Sequence, residues 1–255
     1  MTNFKQYFTE NSYFEEPDEN AAPIQWYFYA YKLKDSHMKL TNAKKVMQHI
    51  LLDPQSAFYY ARNILEKRWS ELEKRLLDND EINLAIDYAQ DVMNARWPAL
   101  EKRILDNEMF NCAVKYAQNV IGRRWPEAEE RFNHIPGFVV NYVRQIVGQR
   151  YPEGEQTLVN FERENPETGN TMILLYVATV EQNRVAQDKK EILELISDHP
   201  EWIKHVSKPD YETQKIAIEK LGRQALPLIG IDKVDKRLLD EFPAIANLKR
   251  SGMFR

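Results

Sequence analysis

Residues 88–101, YAQDVMNARWPALE, recur almost unchanged at residues 116–129 as YAQNVIGRRWPEAE. Two further copies flank this pair: YARNILEKRWSELE begins at Tyr60, and YVRQIVGQRYPEGE begins at Tyr142. The four tyrosines are 28, 28 and 26 residues apart. Self-similarity at a period of this length is typical of proteins that stack one helical or mixed unit on the next. Every other residue is therefore interpreted by its position in the repeat unit.

The first half of each unit predicts an α-helix. A small residue stands three positions before the tyrosine, and an apolar pair follows four and five positions after it, which places them on one helix face. Six positions after the tyrosine come Glu66, Asn94, Gly122 and Gly148. Gly or Asn at this point suits the left-handed residue that ends a helix. The first helix of each unit is therefore predicted to end there.

The second half predicts a turn and a shorter second helix. An arginine and an aromatic residue follow the end of the first helix, and three of the four units then have a proline. Proline suits the first helical position, and acidic residues favour the first turn because the helix dipole is positive there. A glutamate stands thirteen positions after each tyrosine. The repeat-defining positions are Tyr60, Tyr88, Tyr116 and Tyr142; Arg68, Arg96, Arg124 and Arg150; Trp69, Trp97, Trp125 and Tyr151; and Glu73, Glu101, Glu129 and Glu155.

Each unit is thus a helix-turn-helix of about 28 residues, which buries its apolar face only when successive units stack. The predicted fold class is all-α: a right-handed α-α superhelix (solenoid) of about four to five such hairpins with a smaller C-terminal helical region. The predicted divisions are an N-terminal cap segment over residues 1–49, the helical-repeat solenoid over 50–163 and the C-terminal helical region over 164–255. Residues 164–170, ENPETGN, predict a loop at the last division because Pro and Gly lie among polar residues.

The YAxxVIxxRWPEAE unit resembles a short α-helical repeat found in proteins encoded by large tailed bacteriophages of the T-even kind. The resemblance covers roughly residues 50–156, and Ser70 in place of proline and Tyr151 in place of tryptophan depart from it. KPDYETQKIAIEKLGRQALPLI, which begins at Lys208, is similar to a second phage and bacterial helical repeat. These resemblances imply a viral origin and a helical-repeat fold, and they imply no reaction.

Composition narrows the classes of protein. Hydrophobic residues are 43% and charged residues 29%, with a formal net charge of −4, which indicates a folded chain rather than a disordered or membrane-embedded one. No run approaches the ~18 apolar residues of a spanning helix, and the N-terminus lacks the basic and apolar regions of an export signal. The single cysteine, Cys112, excludes an intramolecular disulfide. We expect a cytoplasmic protein, in the host cytoplasm if it is viral, with no membrane association.

The sequence contains no recognisable catalytic or metal-binding motif. Its five histidines never occur at the i, i+4 spacing of a metal site, and no nucleophile elbow, phosphate loop or dinucleotide fingerprint is present. Cys112 lies on the apolar face of a repeat helix, as a small buried thiol does. We therefore predict no catalytic residue, no metal and no cofactor. A helical-repeat enzyme acting on nucleic acid is one alternative, although no single carboxylate identifies its site.

The predicted function is binding of a host or viral protein, with inhibition of a host process as its consequence. The repeated Arg and Glu favour a structural role, because a packing requirement recurs with every unit whereas a binding requirement need not. Contact candidates are the exposed positions two after each tyrosine, Arg62, Gln90, Gln118 and Arg144. The other alternative is nucleic-acid binding by the repeated Arg and Trp, since aromatic rings stack on bases. Against it, acidic residues outnumber basic ones across the repeats.

Overall fold

The computed structural model describes residues 15–182 and 190–251, and within these two stretches the regular structure is helical, with no strand. The chain divides into two compact units, the first ending at Gly122 and the second beginning at Arg123. The predicted all-α helical-repeat fold is confirmed. Parts of the predicted cap segment (residues 1–14) and C-terminal region (residues 183–189 and 252–255) lie outside the described residues.

The described part of unit 1 has seven α-helices, three of which continue into a π-helical turn. The helices are α1 (Pro23–Asp35), α2 (Ala43–Ile50), α3 (Pro54–Tyr60), α4 (Ser70–Asp78), α5 (Ile82–Tyr88), α6 (Pro98–Asp106) and α7 (Phe110–Tyr116). The π turns are Ala61–Leu65 after α3, Ala89–Met93 after α5 and Ala117–Ile121 after α7. Helices α3, α5 and α7 are first helices of the repeat and pack side by side, as do their π turns.

The described part of unit 2 has nine α-helices. They are α8 (Pro126–Phe132), α9 (Pro136–Tyr142), α10 (Pro152–Glu164), α11 (Pro166–Gln182), α12 (Lys190–Asp198), α13 (Tyr211–Leu221), α14 (Ala225–Ile229), α15 (Lys236–Glu241) and α16 (Pro243–Ser251). A π turn, Val143–Val147, extends α9, and 3-10 turns occur at Pro200–His205, Gly222–Gln224 and Ile231–Lys233.

Local signals set the helix ends where the repeat predicts them. The residue six after each tyrosine is left-handed, with φ values of 51° at Glu66, 48° at Asn94, 67° at Gly122 and 66° at Gly148. The aromatic residue of each unit is the cap that precedes the second helix, and the following residue, a proline in three units, is its first helical residue. These bounds follow from backbone preferences that act over a few residues.

The last turn of each first helix is π-helical, which a 3.6-residue period does not predict. The backbone N–H of Glu66 donates to the carbonyl of Ala61 at 2.8 Å, five residues earlier, and Gly122 bonds to Ala117 in the same way at 2.8 Å. A π turn holds more residues than an α-helical turn, so side chains beyond it turn away from the face set by the α-helix. The apolar pairs, expected on the packed face, are accordingly half-buried in every unit.

Among the positions shared by the repeats, the tyrosines and the small residues before them lie in the core. Ala57, Ala85, Ala113 and Val139, three positions before each tyrosine, are fully buried. Each lets the neighbouring helix approach closely, and the tyrosine rings fill the space beside it. Within unit 1 the second helices α4 and α6 pack on α5 and α7 respectively.

The prediction of a loop at residues 164–170 is wrong. Only Asn165 separates α10 from α11, and Pro166 is the first residue of α11, where a proline begins a helix rather than interrupting one. Gly169 is buried, and a Cβ atom there would collide with the backbone of Glu162 on α10. This glycine therefore allows two helices to touch.

Candidate binding surface and inter-repeat clamps

One hydrogen-bond network occurs four times and joins consecutive helical hairpins. In its first copy, Arg68 makes two parallel hydrogen bonds to Glu73, at 2.9 and 2.7 Å. The hydroxyl of Tyr88, from the following hairpin, accepts a hydrogen bond from the backbone N–H of Trp69 at 2.6 Å and donates one to Glu73 at 3.2 Å. We call this set of arginine, aromatic residue, glutamate and following tyrosine an inter-repeat clamp.

The other three clamps have the same partners at nearly the same distances. They are Arg96, Trp97, Glu101 and Tyr116 in unit 1, and Arg124, Trp125, Glu129 and Tyr142, then Arg150, Tyr151, Glu155 and Tyr176, in unit 2. The tyrosine oxygen lies 2.5 to 2.7 Å from the backbone nitrogen in these three. Of the sixteen repeat-defining residues, fifteen are clamp members. The sixteenth, Tyr60, packs its buried ring on Trp69 with centroids 5.8 Å apart.

Tyr176 takes the last clamp position, and the sequence repeat did not identify it. Helix α10 has 13 residues where α4 and α6 have 9, so the next tyrosine falls outside the period. Its ring packs edge-on against Trp202 at 5.9 Å, as Tyr88 packs on Trp97 at the same distance in a tilted arrangement. Tyr176, like Tyr142, is followed directly by a valine, and this shared pair is the local sequence signal that relates Tyr176 to the repeat. The repeated packing therefore continues into α11.

The fourth clamp is the most deeply buried. Glu155 is 3% exposed, and it receives hydrogen bonds from Arg150 and Tyr176 and lies 3.1 Å from Nε2 of His199. Arg150 also contacts Asp198 at 2.6 Å. Burial alone would raise the pKa of the Glu155 carboxyl, but the hydrogen bonds from Arg150, His199 and Tyr176 and the Arg150 charge outweigh it and hold the pKa at about 2. The carboxylate is therefore ionised and fully engaged at neutral pH.

Tyr88→Phe is expected to lower the free energy of unfolding by about 1–3 kcal/mol, because it leaves the buried backbone N–H of Trp69 without its acceptor. Urea denaturation followed by far-UV circular dichroism measures the change. Tyr60→Phe is the matched control, since Tyr60 holds the same repeat position and no clamp precedes it. We expect a loss below about 0.5 kcal/mol there, and equal losses at both positions would contradict a stabilising role of the clamp.

The clamps bury or pair the aromatic and arginine side chains on which nucleic-acid binding would depend. Trp69 and Trp97 are 5% exposed, and Trp125 and Tyr151 are fully buried, so none of these rings presents a face to a base. Each clamp arginine makes two bonds to a glutamate, which neutralises its charge locally. The repeated Arg and Trp therefore serve packing between hairpins.

The four contact candidates are all exposed, and each is the second residue of a π turn. Arg62 reaches the next π turn and pairs with Asp91 at 3.0 Å. Gln90 and Gln118 occupy the equivalent positions on the two following π turns of unit 1. Arg144 occupies it on the π turn of unit 2. In unit 1 the candidate binding surface is therefore the solvent face of the three π turns, and in unit 2 it is the solvent face of the π turn that carries Arg144.

Metal ligands are not assembled in the described residues. There, no three His, Cys, Asp or Glu side chains are arranged to hold a metal ion. Burial raises the pKa of the half-buried Cys112 thiol, which keeps it protonated at neutral pH. Across residues 15–182 and 190–251, no helix combines the length and apolar character needed to cross a bilayer.

The clamp and its supporting helices define the class of protein as an all-α helical-repeat protein. No protein-family model matches the chain, and no curated protein or solved structure is significantly similar to it. The phage resemblance of the repeat unit therefore stays a prediction. The proposed function therefore rests on the clamp geometry, which occurs four times within this chain.

Proposed function

We propose that this protein is a non-enzymatic binding protein that engages another protein, host or viral, through the solvent face of its first helices. The observation that carries the proposal is the division of labour within the repeat. The positions that repeat in every unit are occupied by clamp residues. The exposed position two after each tyrosine differs between units and is Arg, Gln, Gln and Arg in chain order. Hairpins that are joined by clamps and whose exposed residues vary suit selective recognition.

The resemblance of the repeat to phage proteins supports a viral origin. With that origin, the consequence we propose is inhibition of a host process in the host cytoplasm by occupying a protein surface. No cofactor or metal is needed for such a role. The buried aromatic residues of the clamps argue against the nucleic-acid alternative, and they make protein the preferred partner class.

An affinity pull-down from bacterial lysate, split into nuclease-treated and untreated halves, tests the proposal. We expect a protein in stoichiometric amount that survives nuclease and is lost with the double variant Gln90→Lys, Gln118→Lys, because two charges are then placed in the contact. The matched control is Lys74→Gln, Lys102→Gln, on the exposed side of α4 and α6. Recovery that disappears with nuclease would favour the nucleic-acid alternative. Retention of the partner by the Gln90 and Gln118 variant would place the contact elsewhere.

A further inference from the structure

Two adjacent π turns of unit 1, Ala89–Met93 and Ala117–Ile121, form an almost uncharged surface in a chain of which 29% is charged. We call these two turns the neutral strip. Its one charged side chain, Asp91, is paired with Arg62 of the preceding turn at 3.0 Å. The cores of protein interfaces are depleted of charged residues because a charge buried there without a partner is costly. Charge complementarity therefore requires an occupant that is itself uncharged where it meets the strip.

The exposed polar groups of the neutral strip are carboxamides. Gln90, Gln118 and Asn119 are all exposed. A carboxamide has both a donor and an acceptor, as a peptide group does, so it can bond to the main chain of another polypeptide without any charge. The Arg62 to Asp91 pair shows that the second residue of one π turn reaches the third residue of the next. In the next pair of π turns, Gln90 is the second residue of one turn and Asn119 is the third residue of the turn that follows it.

The repeat distance of the strip also fits an extended chain. Packed helices lie about 8–10 Å apart, and an extended chain in the polyproline II conformation advances about 3.1 Å per residue with three residues per turn, so every third residue of a bound segment meets the same position of the next repeat. Beside the carboxamides, the half-buried aliphatic pairs Val92–Met93 and Val120–Ile121 offer apolar contact at the same interval. The carboxamides form a polar row and the aliphatic pairs form an apolar row, and both rows have the same spacing. They suit a bound segment whose main chain faces the carboxamides and whose side chains face the aliphatic pairs.

We propose that the neutral strip binds an extended, uncharged peptide segment of the partner protein, with Gln90, Gln118 and Asn119 bonding to its main chain. This inference rests on the proposed function and adds the chemistry of the partner. A charged segment and a folded helix are the other occupants, and the experiment below separates them from an extended, uncharged peptide.

The probe is a displayed library of random peptides about 12 residues long, which spans roughly four repeats of an extended chain. Enriched peptides are synthesised with a fluorophore and titrated with the whole protein by fluorescence anisotropy. We expect enrichment of sequences without charge in their central part. The double variant Gln90→Ala, Gln118→Ala should weaken binding at least about tenfold, and so should N-methylation of central peptide amides, because each removes main-chain hydrogen bonds. Lys74→Gln, Lys102→Gln should leave affinity unchanged.

Four results would overturn the inference: no enrichment, charged central residues, helical peptides, or affinity that does not depend on Gln90 and Gln118. The Gln90 and Gln118 variants also distinguish failure of the extended-peptide inference from failure of the proposed function. If Gln90→Lys, Gln118→Lys abolishes partner capture in the pull-down while no uncharged peptide binds, the partner docks as a folded surface and only the extended-peptide inference falls. If capture also persists, the contact lies elsewhere, and both the extended-peptide inference and the proposed contact surface fall.

Discussion

Trp125→Ala is expected to lower the free energy of unfolding by about 3–5 kcal/mol, because the indole is fully buried in unit 2 and its removal leaves a cavity within the third clamp. The backbone N–H of residue 125 still donates to Tyr142 in the variant, so the measured loss reports the packing of the ring. Urea denaturation followed by far-UV circular dichroism gives the value. Trp125→Phe, which keeps an aromatic ring, should lose less.

The same variant distinguishes a packing role from nucleic-acid binding. If the tryptophans stacked on bases, Trp125→Ala would reduce binding of single-stranded DNA and leave stability nearly unchanged. A fully buried ring gives the opposite pattern, with a large loss of stability and no DNA binding to lose. A stability loss below about 1 kcal/mol would contradict the packing role.

Glu155→Ala is expected to cost about 3–5 kcal/mol, as removal of one partner of a buried ion pair does. Arg150 is left nearly buried with Asp198 at 2.6 Å and Glu194 at 4.0 Å as its remaining carboxylates, and the Tyr176 hydroxyl loses its acceptor. Glu73→Ala is the matched control, because the Arg68 side chain is 62% exposed and water can solvate it after the change. We expect a loss of about 1 kcal/mol there. Similar losses at both sites would show that burial of the fourth clamp adds nothing.

The fourth clamp also predicts how stability depends on acid. The pKa of Glu155 is about 2 in the folded chain, below its ordinary 4.5, so the unfolded chain takes up this proton at a higher pH than the folded chain does. Stability from this carboxylate is therefore complete above pH about 4.5 and is lost as the pH falls toward about 2. Urea midpoints measured across that range should fall less steeply in Glu155→Gln than in the wild type. Parallel pH profiles would contradict the assignment.

Several features were predictable from sequence because their causes are local. Pro98, Pro126 and Pro152 mark the first residues of second helices, and Asn94 and Gly122 mark the ends of first helices. These preferences depend on the backbone of one or two residues, so they hold in any tertiary context. The pairing of each repeated arginine with the glutamate five residues later was also within reach, since both lie at one turn.

Other features depended on where distant segments meet. The tyrosine that closes each clamp lies 17 to 25 residues after the aromatic residue whose N–H it accepts, and nothing near it in sequence names that partner. The interpretation of 164–170 failed for a related reason. Pro166 and Gly169 have the composition of a loop, but contact between α10 and α11 requires a glycine there and the helix begins at the proline.

The candidate surface shows the same division. Its position in the repeat, two residues after each tyrosine, followed from the sequence, and the structure places all four residues in solvent. The neutral strip did not follow, because an α-helical period puts Val92, Met93, Val120 and Ile121 on the packed face. The π turns bring these side chains partly into solvent beside Gln90 and Gln118.

Proline, left-handed residues and apolar periodicity act through neighbouring backbone, so the amino-acid sequence specifies a set of helical hairpins with fixed helix ends. Tertiary structure alone decided which tyrosine completes each clamp, that Tyr176 extends the repeat into α11, and that the compact units separate after Gly122. Those choices depend on the free energy of packing surfaces far apart in the chain, and that energy is defined only once the helices have met.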